Sequence, residues 1–158
     1  MKKIYLSGKH DNEFALVDDD DFDEMSKYQW FWDRGYAGIR RGKKTIYMHR
    51  LINKTPTGKI TDHINRNKLD NRKENLRTCG QGQSQRNIGI SRRNKSGYVG
   101  VVWVKKDKRW KAQIKYNGKI IYLGNYTDIK KAAMIYDKAA LKYHKEFATT
   151  NKSLGLLN

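Results

Sequence analysis

The sequence predicts an α+β protein in two parts, and three observations carry that expectation. The first part is filled with short runs rich in β-branched and aromatic residues, broken by Gly, Asp and Asn. In the second part Trp110-Lys-Ala-Gln-Ile-Lys-Tyr116 alternates strictly, and Asn117-Gly118 follows as a two-residue hairpin signal. After it, Ile129, Ala132, Ala133, Tyr136, Ala139, Ala140 and Tyr143 recur at helical spacing.

In chain order, strands are expected at Ile4–Leu6, Phe14–Val17, Trp30–Trp32, Tyr36–Arg40 and Thr45–Leu51. The acidic run from Asp18 to Glu24 reads as one short helix, started by an Asp cap, with acids at its positive end. Its carboxylates are consecutive and point in different directions, which favours a helix start over a metal site. Pro56 sits in a turn over Thr55–Gly58. Ile60–Ile64 is the next expected strand, Asn65–Asn71 a polar loop, Asn75–Thr78 a strand and Gln81–Ile88 a short helix. Ser91–Gly97 is polar and basic and reads as a linker.

Beyond the linker, Tyr98–Val104, Trp110–Tyr116 and Lys119–Leu123 predict a three-stranded antiparallel sheet. The helix from about Asp128 to His144 packs on one face, its alanines allowing close approach. The face with Lys111, Gln113 and Lys115 stays exposed. Trp103, Trp110 and Tyr136 are expected in the core rather than as a stacking platform for single strands.

The chain has 158 residues and a formal net charge of +18. Residues 1–90 hold 18 Lys and Arg against 12 Asp and Glu; residues 91–158 hold 16 against 4. That asymmetry makes the C-terminal part the main polyanion-binding surface. No long apolar run or signal peptide is visible, so membrane binding and secretion are not expected. Cys79 is the only cysteine, which fits a reducing cytoplasm and excludes a paired Cys-x-x-Cys zinc site.

The most informative stretch is residues 61–77, TDHINRNKLDNRKENLR. It sets Asp62 beside His63, with Asn75 twelve positions after the histidine. A carboxylate offers oxygen to a hard cation, Mg²⁺ or Mn²⁺, while an imidazole with an ordinary pKa of about 6.5 takes a proton from water. That is minimal equipment for hydrolysing a phosphodiester. Arg50, Arg72 and Arg77 are candidate phosphate clamps. His49 reads as structural or phosphate-contacting, and His10 and His144 carry no site signal.

MHRLI at 48–52, DHIN at 62–65, KLDNRKENLR at 68–77 and QSQRN at 83–87 together resemble the HNH endonuclease family, particularly the homing-type nucleases of bacteriophage genomes. The resemblance implies a ββα-metal nuclease unit holding one divalent metal, Mg²⁺ or Mn²⁺, and no zinc. It implies His63 as the base, Asp62 as a metal ligand, and Asn75 as a structural residue that holds His63 across the loop. The family's second protein ligand, a His or Asn nine residues after the Asn75 position, falls here on Ser84, a departure that weakens the ligand set. Asn87, one turn later, matches the family's second Asn.

Tyr98-x-Gly100-Val101, Trp110-x-Ala112-x-Ile114, Tyr122-Leu123-Gly124, Ala132-Ala133-x-x-Tyr136-Asp137-x-Ala139-Ala140 and Ala148-x-x-Asn151 resemble the APETALA2-type domain of plant ethylene-response factors. Such domains lay their open sheet face in the DNA major groove. The corresponding contact positions are Val99, Gly100, Val102, Val104, Gln113, Lys115, Ile120 and Tyr122. Gln113 suits adenine, Lys115 guanine or phosphate, and Tyr122 a sugar or thymine methyl. Lys105, Lys106, Lys108, Arg109 and Lys111 suit phosphates.

The combined expectation is a nuclease domain over 1–90 with its core motif at 48–87, a linker at 91–97 and a DNA-binding domain over 98–152. The chain would be a metal-dependent, sequence-directed endonuclease that nicks or cuts double-stranded DNA, cytoplasmic in a bacterial or phage-infected cell, with its oligomeric state left open and a monomer favoured. A DNA-binding regulator with an inactive nuclease unit is the alternative reading.

Overall fold

The computed structural model describes residues 1–8, 12–87 and 89–157. His10 and Ile88, the expected end of one helix, lie outside the described residues. Helix and strand are mixed, in the expected α+β class. Residues 1–84 form one unit and residues 85–158 another.

In the first unit, β1 (Lys2–Tyr5) pairs antiparallel with β2 (Phe14–Val17), Ile4 opposite Ala15. Ile4, Leu6, Ala15 and Val17 alternate into the core. α1 (Asp19–Met25) has three aspartates in its first turn, at the positive end of its dipole. Asp18 occupies the N-cap but makes no side-chain cap bond. Its carboxylate instead accepts from the Lys73 backbone N–H at 2.8 Å. Trp30, 1% exposed, donates its indole N–H to the Met25 carbonyl at 2.7 Å.

β3 (Phe31–Asp33), β4 (Tyr36–Arg41) and β5 (Lys44–Tyr47) form an antiparallel meander. The strand expected over Thr45–Leu51 stops at Tyr47, and α2 (Met48–Ile52) replaces its second half. Met48, His49 and Ile52 all bury, a set that fits one helix face but not a single strand face.

β6 (Ile60–His63) and β7 (Leu76–Cys79) form an antiparallel pair, with Asp62 opposite Arg77 and His63 opposite Leu76. Asn75 lies in a 3₁₀ turn over Lys73–Asn75, not in the strand. The connection is fastened to the edge of β2: Leu16 donates to the Leu69 carbonyl and Asn71 donates to the Leu16 carbonyl, each at 2.8 Å. α3 (Gln81–Ser84) follows and is shorter than the expected Gln81–Ile88. It buries no residue and contains Gly82, so neither an apolar stripe nor propensity carries it further.

In the second unit, β8 (Val101–Val104), β9 (Arg109–Tyr116) and β10 (Lys119–Tyr126) form a sheet in the order β10-β9-β8. Asn117 and Gly118 have φ of 47° and 77°, as a type I′ turn requires. β8 begins at Val101 rather than Tyr98 because Gly100, at φ 75°, leaves the extended region. A Cβ on Gly100 would meet the Tyr136 ring at 1.9 Å, so only glycine fits there.

α4 (Ile129–His144) starts at Asp128, whose carboxylate accepts from the Lys130 N–H at 2.9 Å. Ala132, Ala133 and Ala140 are fully buried, as is Ala112 of β9. The segment read as a linker belongs to this unit as a bonded turn. Asn94 Nδ2 donates to the Tyr98 carbonyl and Ser96 Oγ to the Val101 carbonyl, each at 2.8 Å. The tail returns through Asn151, fully buried, which accepts from the Val99 N–H at 2.7 Å and donates to Asp137 Oδ1 at 2.8 Å.

One core expectation is corrected. Tyr136 is buried and Trp110 is half-buried, but Trp103 is 44% exposed. It stands opposite Trp110 near the end of edge strand β8, with the two rings 4.8 Å apart.

Candidate active site and nucleic-acid interface

β6 carries Asp62 and His63 side by side, both buried. The cross-strand partner of Asp62 is Arg77, whose Nε and Nη2 donate to Asp62 Oδ2 at 2.9 and 2.7 Å. The other carboxylate oxygen faces α3, where Ser84 Oγ lies at 3.5 Å. The helix that presents Ser84 is closed at its start by Gln83 Oε1, which accepts from the Gly80 N–H at 2.9 Å.

His63 Nε2 lies 3.3 Å from Asn71 Oδ1. The Asn71 amide nitrogen donates to the Leu69 carbonyl at 3.2 Å and meets Met48 Sδ at 3.5 Å. That orientation turns an acceptor toward the imidazole, so Nε2 carries the proton and Nδ1 is the basic atom. Burial pushes the His63 pKa below the usual imidazole value. The Asn71 bond and the charges of Asp62 and Asp70 push it up, and Lys68 pushes it down.

The loop after His63 is braced by Asn75. Its Oδ1 accepts from the Asn65 N–H at 2.9 Å, and its Nδ2 donates to the Asp70 carbonyl at 2.8 Å. Asp70, 2% exposed, accepts from Asn65 Nδ2 and from Arg72 Nε and Nη2, each at 2.8 Å. The Arg72 guanidinium holds the Asp70 carboxyl below the usual carboxylate range.

An aromatic wall stands beside His63. The His49 ring lies 5.1 Å from it edge-on and stacks on Tyr47, while Tyr36 lies 4.9 Å from His49. Tyr47 is fixed by a 2.7 Å bond to Asp33. Lys68 Nζ sits 4.3 Å over the Tyr36 ring. Burial, with the nearby His63, Arg50 and Lys68, lowers the His49 pKa to about 3, so this imidazole is neutral.

Sequence reasoning singled out Asp62, His63, Asn75 and Ser84, and β6, the loop and α3 bring these into one unit. It missed Asn71, the direct partner of His63, and the wall of Tyr36 and Tyr47. Asn71 sits inside the KLDNRKENLR motif, but nothing local separates it from neighbouring polar residues. Arg50 and Arg72 are engaged within the protein. Arg50 Nη1 donates to the Lys59 carbonyl at 2.9 Å, and Arg72 pairs with Asp70 and Glu74. Asn87 lies past the end of α3, in the second unit, where Thr149 Oγ1 donates to it at 3.4 Å.

Among the described residues, no three His, Cys, Asp or Glu side chains cluster as a metal cage. The oxygens of Asp62 and Ser84 still fit a hard ion of the Mg²⁺ type, which keeps several waters and commonly takes one or two carboxylates plus substrate phosphate.

In the second unit the sheet face opposite α4 carries Val102, Lys111, Gln113, Lys115, Ile120 and Tyr122. Val102, Ile120 and Tyr122 are 45%, 66% and 60% exposed. The register sets Tyr122 opposite Gln113, Ile120 opposite Lys115 and Val102 opposite Lys111. Lys105, Lys106, Lys108 and Arg109 lie exposed at the β8–β9 turn. Among the described residues no helix is long and apolar enough to cross a membrane.

A family model described as HNH endonuclease matches residues 47–84. An uncharacterized HNH endonuclease of Acanthamoeba polyphaga mimivirus is 30% identical over 153 residues, covering 93% of this chain and 79% of that protein. An AP2-like ethylene-responsive transcription factor of Arabidopsis thaliana is 34% identical over 92 residues, covering 52% of this chain and 27% of that protein. No solved structure matches the chain.

Proposed function

The chain belongs to the HNH endonuclease family, and from that premise we propose a metal-dependent endonuclease that hydrolyses phosphodiester bonds in double-stranded DNA. The β6–β7 pair and α3 serve as the ββα-metal unit. The observation that carries the reading is the pairing on β6 of Asp62, facing Ser84, with a His63 whose Nε2 is held by Asn71.

His63 Nδ1 takes the proton of the attacking water. Asn71 keeps the tautomer that leaves Nδ1 basic, and Asn75 keeps the loop closed behind it. Asp62 and Ser84 would hold the divalent ion, Mg²⁺ or Mn²⁺. When bound, that ion supplies charge neutralisation at the phosphate and stabilisation of the leaving 3′ oxygen. Arg77 orients Asp62 through its two hydrogen bonds to Oδ2.

The second unit supplies affinity and register through its open sheet face, as an APETALA2-type module. The +12 formal charge of residues 91–158 and the partial likeness to the plant transcription factor support this division. The test is duplex DNA cleavage with Mg²⁺, Mn²⁺ or a chelator. Cleavage that needs the metal and is lost in His63→Ala is expected. DNA binding with no cleavage under any metal would instead favour the regulator reading.

A further inference from the structure

The exposure of Trp103 is unexplained by the open sheet face, because Trp103 alternates with Val102 and projects from the other side of β8. Its ring borders a cleft of about 330 Å³ at the free edge of the sheet. Trp110 forms the cleft's aromatic floor, 4.8 Å from Trp103. Arg93, Lys95 and Lys105 line the rim, and none of the described lining residues is acidic.

The turn that lines the cleft with the tryptophans is held by its own hydrogen bonds. Asn94 Oδ1 accepts from the Ser96 and Gly97 N–H groups at 2.9 and 2.8 Å, and Ser96 Oγ ties the turn to the Val101 carbonyl. Those bonds fix the turn that carries Arg93 and Lys95 beside an exposed indole. An aromatic face lined by three cations and no acid matches the chemistry of a planar base with an attached phosphate.

We propose that this cleft binds an unpaired nucleotide, with its base on Trp103 and its phosphate among Arg93, Lys95 and Lys105. The site adjoins the open sheet face read as the duplex contact and shares Val102 and Lys105 with it, whereas Trp103, Arg93 and Lys95 belong to the cleft alone. It would give the protein preference for DNA carrying a single-stranded or extruded nucleotide.

The test uses the full chain and two labelled probes, a short oligothymidylate and a blunt duplex, with an oligouridylate arm to separate DNA from RNA. Affinities are measured for the parent, Trp103→Ala and Trp103→Phe. Loss of one base-stacking contact predicts about tenfold weaker oligothymidylate binding for Trp103→Ala. Trp103→Phe retains most of the affinity, and duplex binding stays within about twofold of the parent for both. Arg93→Ala with Lys95→Ala should flatten the salt dependence of single-strand binding. The proposal is overturned if the parent fails to bind oligothymidylate at low salt, if Trp103→Ala binds it like the parent, or if Trp103→Ala and Trp103→Phe lose both probes alike. The duplex arm judges the sheet-face reading independently.

Discussion

Asn71 Oδ1 accepts the Nε2 proton of His63 across 3.3 Å, and both side chains are buried. The same amide is held by Leu69 and Met48, and its backbone N–H is bound to β2 through Leu16. The basic nitrogen of the proposed site is therefore selected by the first hairpin of the fold.

Asn71→Ala removes the tautomer lock while leaving His63 in place. Cleavage is expected to fall by roughly 10²-fold with duplex affinity nearly unchanged. Asn71→Asp sets a carboxylate against the imidazole and raises its pKa, so the acid limb of the rate profile moves to higher pH. A pH–rate profile for the three proteins checks this. An acid limb that does not move in Asn71→Asp means that Asn71 does not tune His63.

Acid sensitivity follows from His49. Its folded pKa of about 3 lies below the ordinary 6.5, so the unfolded chain binds more protons between those values. The stabilisation is complete above about pH 6.5 and falls as pH drops toward 3, by up to about 1.4 kcal/mol per unit. Tyr36, Tyr47, His63, Arg50 and Lys68 surround the ring, and none of them offers the imidazolium a carboxylate. Denaturant melts of parent and His49→Gln between pH 7 and pH 4 are expected to show a shallower slope for the variant. Equal slopes contradict the assignment.

Ser84 Oγ lies 3.5 Å from Asp62 Oδ1, and an asparagine amide oxygen would reach further from the backbone than this hydroxyl. Ser84→Asn is expected to raise cleavage at limiting Mg²⁺ without changing DNA affinity. Rates against Mg²⁺ concentration provide the measurement. Unchanged metal dependence means that Ser84 does not contribute to the ion site.

Strict alternation made β9 legible from sequence, and the alanine spacing made α4 legible. Both patterns are long enough to outvote local exceptions. Thr45–Leu51 misled because its apolar residues continue unbroken from β5 into α2, and the change of period is visible only once Met48, His49 and Ile52 are seen to bury together. The expected helix outruns α3 because no apolar stripe marks where this segment ends. In the site, adjacency on one strand made Asp62 and His63 legible. Asn71 was hidden because its role depends on β2, more than fifty residues earlier in sequence, and Trp103 because a pattern of faces does not say where a covering helix ends.

Asn151 joins Val99, Ala133 and Asp137 in one buried network, and Asp137 also accepts from the Asn151 and Lys152 N–H groups. Asn151→Ala leaves buried donors and acceptors unpaired. A loss of about 2–4 kcal/mol in the stability of the second unit is expected. Denaturation followed by tryptophan fluorescence in the full chain checks it, and a change under about 0.5 kcal/mol contradicts the network's weight.

The role assigned to His63 is to take a proton during metal-dependent cleavage of duplex DNA. It is tested most directly by single-turnover cleavage under saturating Mg²⁺, comparing the parent with His63→Ala while duplex affinity is measured on the same samples. A rate lower by about 10²–10⁴-fold in the variant, with affinity unchanged and no cleavage by the parent in chelator, is the predicted result. Equal rates for the two proteins, or cleavage by the parent that persists in chelator, would contradict it.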